Sequence, residues 1–147
     1  MASFIRRATA VWHGTGKDGS GHLTSTSGAL ANTPYGFAAR FVSEDGRAGT
    51  NPEELIGAAH AGCFTMALSF QLAGAGFTPE SLTTIAHVTV EKKEAGFEVT
   101  GITLELNGKV PGISAEQFQQ LATNAKLGCP ISKALAAVPI TLQATLG

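Results

Sequence analysis

From Leu55 to Phe77 the chain carries no Asp, Glu, Lys or Arg. Wound as an α-helix at about 1.5 Å per residue, this run is about 34 Å long, enough to cross a bilayer. Yet it holds His60, Thr65, Ser69 and Gln71, is rich in Ala and Gly, and stands alone in the sequence. It also lacks the basic flanks that orient a membrane helix. It therefore reads as a helix of a soluble protein, buried on nearly every side. A chain of 147 residues is one domain, 1–147, and has little material with which to wrap such a helix. A homodimer pooling two chains would do so more easily.

Composition narrows the function. Hydrophobic residues at 44% against 14% charged exclude an intrinsically disordered chain. A net charge of −1 leaves no basic excess to neutralise a phosphate backbone, and no Lys/Arg cluster suits an anionic membrane surface. Nucleic acid and membrane are thus not expected partners. The opening Met1-Ala2-Ser3-Phe4-Ile5-Arg6-Arg7 is not followed by an apolar run, so no signal peptide is read and a cytoplasmic location is expected. Two cysteines, Cys63 and Cys129, cannot build a disulfide framework and are too few for a thiolate-rich zinc site. No metal or cofactor is expected. Gly14-Thr15-Gly16 lacks the rest of any phosphate-binding fingerprint.

Local signals give the order of elements. Strands are expected at Ser3 to Trp12 and His22 to Ser27, joined by a turn over Gly14 to Gly21, with a third strand at Tyr35 to Val42 after Asn32-Thr33-Pro34. Ser43 to Gly49 reads as a loop. Asn51 is a helix cap with Pro52 in the first helical position, Glu54 three residues after the cap, and Glu53 and Glu54 at the positive end of the dipole. That helix should end near Ala73. Strands follow at Leu82 to Glu91 and Phe97 to Leu106. In the second, Phe97 and Val99 share one parity while Ile102, Leu104 and Leu106 share the other, so a bulge is expected at Gly101. Ser114-Ala115-Glu116-Gln117 opens a helix to about Leu127, Cys129-Pro130 opens a short one to about Ala137, and Pro139 to Leu146 closes as a strand. The fold class is α+β, an antiparallel β-sheet packed on a buried central helix.

Several side chains could carry chemistry. Cys63 lies about three turns into the central helix, too deep for the dipole to acidify it, and buried cysteine is also a common apolar filler. Cys129 stands at the start of a new helix, whose free N–H groups favour a thiolate. On local chemistry it is the more acidic thiol. His60, one turn before Cys63, permits a Cys–His dyad as in a hydrolase, or serves as a hydrogen-bonded interior residue. Alternation puts Phe37, Ala39 and Phe41 on one strand face and Arg40 on the other. Glu53 either complements the dipole or holds an arginine, with Arg40 the candidate.

These residues also resemble a known family. Gly49-Thr50-Asn51-Pro52-Glu53-Glu54-Leu55-Ile56-Gly57-Ala58-Ala59-His60-Ala61-Gly62-Cys63-Phe64 resembles the central-helix motif of the osmotically inducible protein C (OsmC) family. Tyr35-Gly36-Phe37-Ala38-Ala39-Arg40-Phe41 resembles its arginine-bearing strand. Phe77-Thr78-Pro79, Val110-Pro111-Gly112-Ile113 and Gly128-Cys129-Pro130-Ile131-Ser132 resemble it at matching places. The likeness covers essentially the whole chain. The departures are a loop at Ser43 to Gly49 that looks longer than usual, with Arg47 in it as a competitor for Arg40, and Gly62 where alanine is more usual.

The resemblance implies an intertwined homodimer and a thiol-dependent hydroperoxide reductase with sites at the subunit interface. It implies Cys63 as the attacking thiol, Cys129 as the resolving thiol, Arg40 as the cation beside Cys63, and Glu53 as the acceptor that orients Arg40. This assignment overrides the local preference for Cys129. It further suggests an organic hydroperoxide as substrate and a dithiol reductant, lipoyl-type. A non-catalytic redox switch needs the same two thiols and is the alternative, beside the Cys63–His60 hydrolase. Glu53 and Cys63 are ten residues apart on one expected helix, about 15 Å along its axis. One arginine cannot touch both within a single helix, so Glu53 of one subunit is expected to meet Cys63 of the other.

Overall fold

The computed structural model describes residues 2–147. The chain divides into two compact units, one ending at Leu55 and one running from Ile56 to Gly147.

The first unit holds a three-stranded antiparallel sheet in the order β1 (Ala8–His13), β2 (Ser20–Ser25), β3 (Thr33–Tyr35). The turn between β1 and β2 begins at Gly14, whose φ of +91° suits glycine. It is braced by the Trp12 indole N–H on Thr15 O and by the Asp18 N–H on Thr15 Oγ1. Trp12 and Tyr35 meet at 5.4 Å between ring centroids. Gly21 pairs with both residues in the register. A Cβ there would lie 2.5 Å from the Trp12 ring and 2.7 Å from the Tyr35 ring, so only glycine fits.

The expected strand at Tyr35 to Val42 is corrected. Pairing stops at Tyr35, and Ala38–Val42 forms a single π-helical turn closed by the Ser43 N–H on Ala38 O at 2.8 Å. Phe37 and Phe41 share a strand parity, but they are also four apart, and in the helical turn their rings meet edge-on at 5.4 Å. Ala38, Ala39 and Arg40 are good helix formers, so the ambiguity resolves toward a helix.

Helix α1 (Pro52–Gly74) begins as the sequence indicates. Asn51 Oδ1 accepts the Glu54 N–H at 2.8 Å, and Thr50 donates to the Glu54 carboxylate at 2.7 Å. Its end is a Schellman motif. Gly76, at φ +87°, donates to Ala73 O, and Phe77 donates to Leu72 O.

In the second unit, β4 (Ser81–Lys93) and β5 (Gly96–Lys109) form a long antiparallel hairpin. Its register shifts between Thr89, which faces Gly101, and Val90, which faces Val99. The bulge thus falls where the hydrophobic parity changes. Beyond it Ile102, Leu104 and Leu106 are buried together with Phe64, Leu68 and Leu72 of α1. Helix α2 (Ala115–Gly128), capped by Ser114, adds Phe118, Ala122 and Ala125. The short α3 (Pro130–Ala134) follows directly, and β6 (Ile140–Leu146) lies parallel to β5. The sheet is therefore mixed where an all-antiparallel one was expected, because the two intervening helices are a connection long enough for a parallel crossover.

Only one face of α1 is buried within the chain, along Gly57, His60, Phe64, Leu68 and Leu72. At Gly57 the helix comes close to β4, where a Cβ would touch Val88. The opposite face is exposed, with Met66 at 64% and Phe70 at 72%.

Candidate active site

Cys63 and Cys129, 66 residues apart in sequence, are both free thiols, and their sulfurs lie 2.8 Å apart. Cys63 is carried by α1 and is part-exposed; Cys129 is fully buried. Cys129 ends α2 and starts α3. Its N–H donates to Ala125 O at 2.9 Å, and its carbonyl accepts from the Lys133 N–H at 3.1 Å. Pro130 follows it at the first helical position, so one residue fixes two helix ends and its side chain has little freedom.

The two thiols have opposite electrostatics. Burial pushes the Cys63 thiol up, and Cys129 beside it pushes further, against a weaker pull from the Ile131 backbone N–H. Burial also works against the Cys129 thiolate, but the hydrogen bond with Cys63 and hydrogen bonds from Ser132 and Ile131 outweigh it, and its pKa is lowered. Within this unit Cys129 is the more acidic thiol, as the local sequence argument holds. Nothing in the unit that carries Cys63 acidifies it below its ordinary range.

The other expected site residues lie in the first unit. Arg40, on the π turn, binds Glu53, in the first turn of α1. Its Nε donates to Oε1 and Oε2 at 2.9 and 3.1 Å, and its Nη2 donates to Oε1 at 2.7 Å. The Arg40 guanidinium also lies over the Phe41 ring at 4.6 Å. Glu53 is buried with its charge matched. Arg47 is exposed, and its backbone N–H donates to Asp45 Oδ1 at 3.0 Å. It is not Glu53's partner.

His60 does not pair with Cys63. Its Nε2 lies 2.8 Å from Ser132 Oγ, and its Nδ1 is buried with no hydrogen-bond partner among the described residues. The hydrogen bond of a Cys–His dyad is therefore not formed. Ser132 is the residue that sequence reasoning passed over. No local signal marks it, because its partner His60 lies 72 residues away in the sequence. Among the described residues no group of three or more His, Cys, Asp or Glu side chains could hold a metal ion.

Two free thiols in contact, one buried and one reachable from solvent, are a dithiol poised to become a disulfide, for they stand 2.8 Å apart against a bond length of about 2.05 Å. The α+β fold and this thiol pair define a class of dithiol proteins. The chain belongs to the OsmC-like protein family, whose family model matches residues 44–143. It is 50% identical over 138 residues to peroxiredoxin OsmC of Escherichia coli (strain K12), covering 94% of each chain. It is 31% identical over 136 residues to the organic hydroperoxide resistance protein OhrB of Bacillus subtilis (strain 168), covering 91% of each. The crystal structure of Bacillus subtilis OhrB superposes with a TM-score of 0.75 at 30% identity, over 97% of this chain and 98% of that one.

Proposed function

We propose that this chain is a thiol-dependent peroxidase that reduces organic hydroperoxides, and hydrogen peroxide more weakly, in defence against oxidative and osmotic stress. The observation that carries the reading is the pair of free thiols 2.8 Å apart. It occurs in a family whose relatives are named peroxiredoxin and organic hydroperoxide resistance protein.

Cys63 is the attacking thiol, since it is the reachable one of the two. Its thiolate attacks a peroxide oxygen. The S–O bond forms, the O–O bond breaks, and the leaving alkoxide takes a proton and departs as the alcohol. Cys63 is left as a sulfenic acid. The Cys129 thiolate then attacks the Cys63 sulfur; the S–S bond forms, the S–O bond breaks, and hydroxide leaves as water. A dithiol reductant, in this reading lipoyl-type, returns both thiols by exchange and is itself oxidised to a disulfide. The chemistry needs no cofactor. The apolar neighbours of Cys63 on α1, Ile56, Ala59, Phe64, Met66 and Ala67, favour a peroxide with an apolar tail.

Burial raises the Cys63 pKa, so the attacking thiolate needs a cation. Arg40, oriented by Glu53, supplies it in a cytoplasmic homodimer, where Arg40 of one subunit faces the partner subunit's Cys63. Two facts support this arrangement. Glu53 and Cys63 are ten residues apart on one helix, about 15 Å by its rise. The face of α1 bearing Met66 and Phe70 is apolar and exposed in the single chain, and a second copy would cover it. The whole chain acts as one family domain in this reading.

The test is turnover of cumene hydroperoxide by wild type, Cys63→Ser and Cys129→Ser, each with dihydrolipoamide. The reading expects multiple turnovers in wild type, none in Cys63→Ser, and impaired turnover with overoxidation in Cys129→Ser. Consumption of a single equivalent by wild type with every dithiol tried would make the pair a redox switch instead.

A further inference from the structure

His60 is fully buried and takes no part in the reaction above. Its ring Nε2 lies 2.8 Å from Ser132 Oγ, joining α1 to α3. Its Nδ1 is buried and unpartnered among the described residues. Orphaned buried N–H groups are rarer than under-satisfied acceptors, so Nδ1 is the bare lone pair and Nε2 carries the proton. Nε2–H then donates to Ser132 Oγ. A serine hydroxyl has one hydrogen, and with its oxygen engaged by His60 that hydrogen is free for another acceptor. Cys129 begins the same short helix three residues earlier. The Ser132 hydroxyl is among the groups that favour the Cys129 thiolate over the thiol. Had His60 carried its proton on Nδ1, the Ser132 hydrogen would be spent on the ring and the hydroxyl would have none to offer the thiol.

We propose that His60 and Ser132 are positioning residues for the resolving thiol, forming a relay from Nε2–H to Oγ–H to Sγ that holds the Cys129 thiolate aimed at Cys63. The proposal rests on the peroxidase reading and goes beyond it: it assigns the second chemical step its own support, built by residues that touch neither peroxide nor reductant. In that step the relay moves no proton. Cys129 attacks as a thiolate already stabilised, the S–S bond forms, and the hydroxide lost from Cys63 leaves as water with a solvent proton. Both partners of the relay are buried, so its hydrogen bonds do not compete with water. The bond also ties α1 to α3 one helical turn from Cys63, which keeps the two sulfurs in register.

The experiment is a single-turnover reaction of the full chain with one equivalent of cumene hydroperoxide, quenched with an alkylating reagent and read by mass spectrometry. Wild type is compared with Ser132→Ala, Ser132→Thr, His60→Phe and His60→Gln. The relay predicts that Ser132→Ala and His60→Phe still consume a burst of one peroxide per site but form the disulfide at least tenfold more slowly. Ser132→Thr, which keeps the hydroxyl, and His60→Gln, whose amide N–H reaches toward the same oxygen, should recover most of the rate. In a Cys63→Ser background, Ser132→Ala should move the ultraviolet titration of the Cys129 thiolate to higher pH. Unchanged disulfide formation and an unchanged thiolate titration in Ser132→Ala would overturn the relay, as would a Ser132→Thr as slow as Ser132→Ala. Absence of any burst in wild type would instead sink the peroxidase reading, and the thiolate titration would still decide the relay.

Discussion

Arg40 and Glu53 are joined by three hydrogen bonds of 2.7 to 3.1 Å, yet their side chains are unequally exposed, 39% for the arginine and 10% for the glutamate. The two deletions are therefore not equivalent. Arg40→Ala leaves a buried carboxylate with no partner, which costs about 1–3 kcal/mol. Glu53→Ala leaves a guanidinium that water can reach. Urea unfolding should find Arg40→Ala the more damaging single change, with the double variant more stable than Arg40→Ala alone. Glu53→Gln keeps the volume but drops the charge that fixes Arg40. Its kcat/KM for cumene hydroperoxide should fall at least tenfold while its melting curve stays close to wild type.

The thiol pair makes a separate prediction about the fate of excess peroxide. Wild type should lose both titratable thiols and gain no oxygen, because Cys129 stands in contact with Cys63 and intercepts the sulfenic acid. Cys129→Ser leaves that acid unresolved, and further peroxide carries it to the sulfinic acid. Intact-mass measurement after peroxide treatment should show two added oxygens in Cys129→Ser and none in wild type. A wild-type protein that accumulates the same adduct would contradict the order of the two cysteines.

The residues that were legible in the sequence are those whose role is local. Asn51, Pro52 and Glu54 open α1, Ser114 opens α2, and both caps hold in the structure. The change of parity between Val99 and Ile102 marks the bulge for the same reason: a strand has only two faces. What was not legible is long-range or degenerate. Phe37 and Phe41 fit a strand face and a helical turn equally well. The parallel pairing of β5 with β6 depends on how two helices cross over, which no local pattern encodes. Ser132 meets His60 across 72 residues, and neither residue announces the other. The roles proposed for Cys63 and Cys129 rest on the family resemblance, since local chemistry points to Cys129 as the acidic thiol and the electrostatics of their unit agree.

The exposed stripe of α1 predicts the assembly. Met66 and Phe70, one turn apart, are 64% and 72% exposed on a helix that has no charged residue from Leu55 onward. Exposed apolar side chains at this spacing mark an interaction surface. Met66→Glu and Phe70→Glu lie away from the buried core, so each should leave the single-chain fold intact while opposing association with like charge. Light scattering should report a dimer for wild type and a monomer for the double variant, and peroxidase turnover should fall with the dimer fraction if the site needs both subunits. A wild type that is monomeric and fully active would contradict the interface.

Burial of His60 predicts how stability follows pH. Burial holds the folded-state pKa below the ordinary value of 6.5, because desolvation disfavours the imidazolium. Above about pH 6.5 both folded and unfolded chains carry a neutral ring, and this residue adds no pH dependence. As pH falls below that, the unfolded chain takes up a proton that the folded chain refuses. The unfolded state is favoured, and stability drops by at most about 1.4 kcal/mol per pH unit until the folded pKa is reached. His60→Gln has nothing to titrate and keeps an amide within reach of Ser132. Urea midpoints measured at about pH 7.5, 6.5 and 5.5 should therefore diverge, with wild type losing more stability than His60→Gln across the lower interval. The carboxylates that also titrate near the bottom of this range are common to both proteins and cancel in the difference. Parallel pH profiles would mean that the ring takes a proton as readily in the folded chain as in the unfolded one, and the neutral Nε2–H donor to Ser132 would fall with that result.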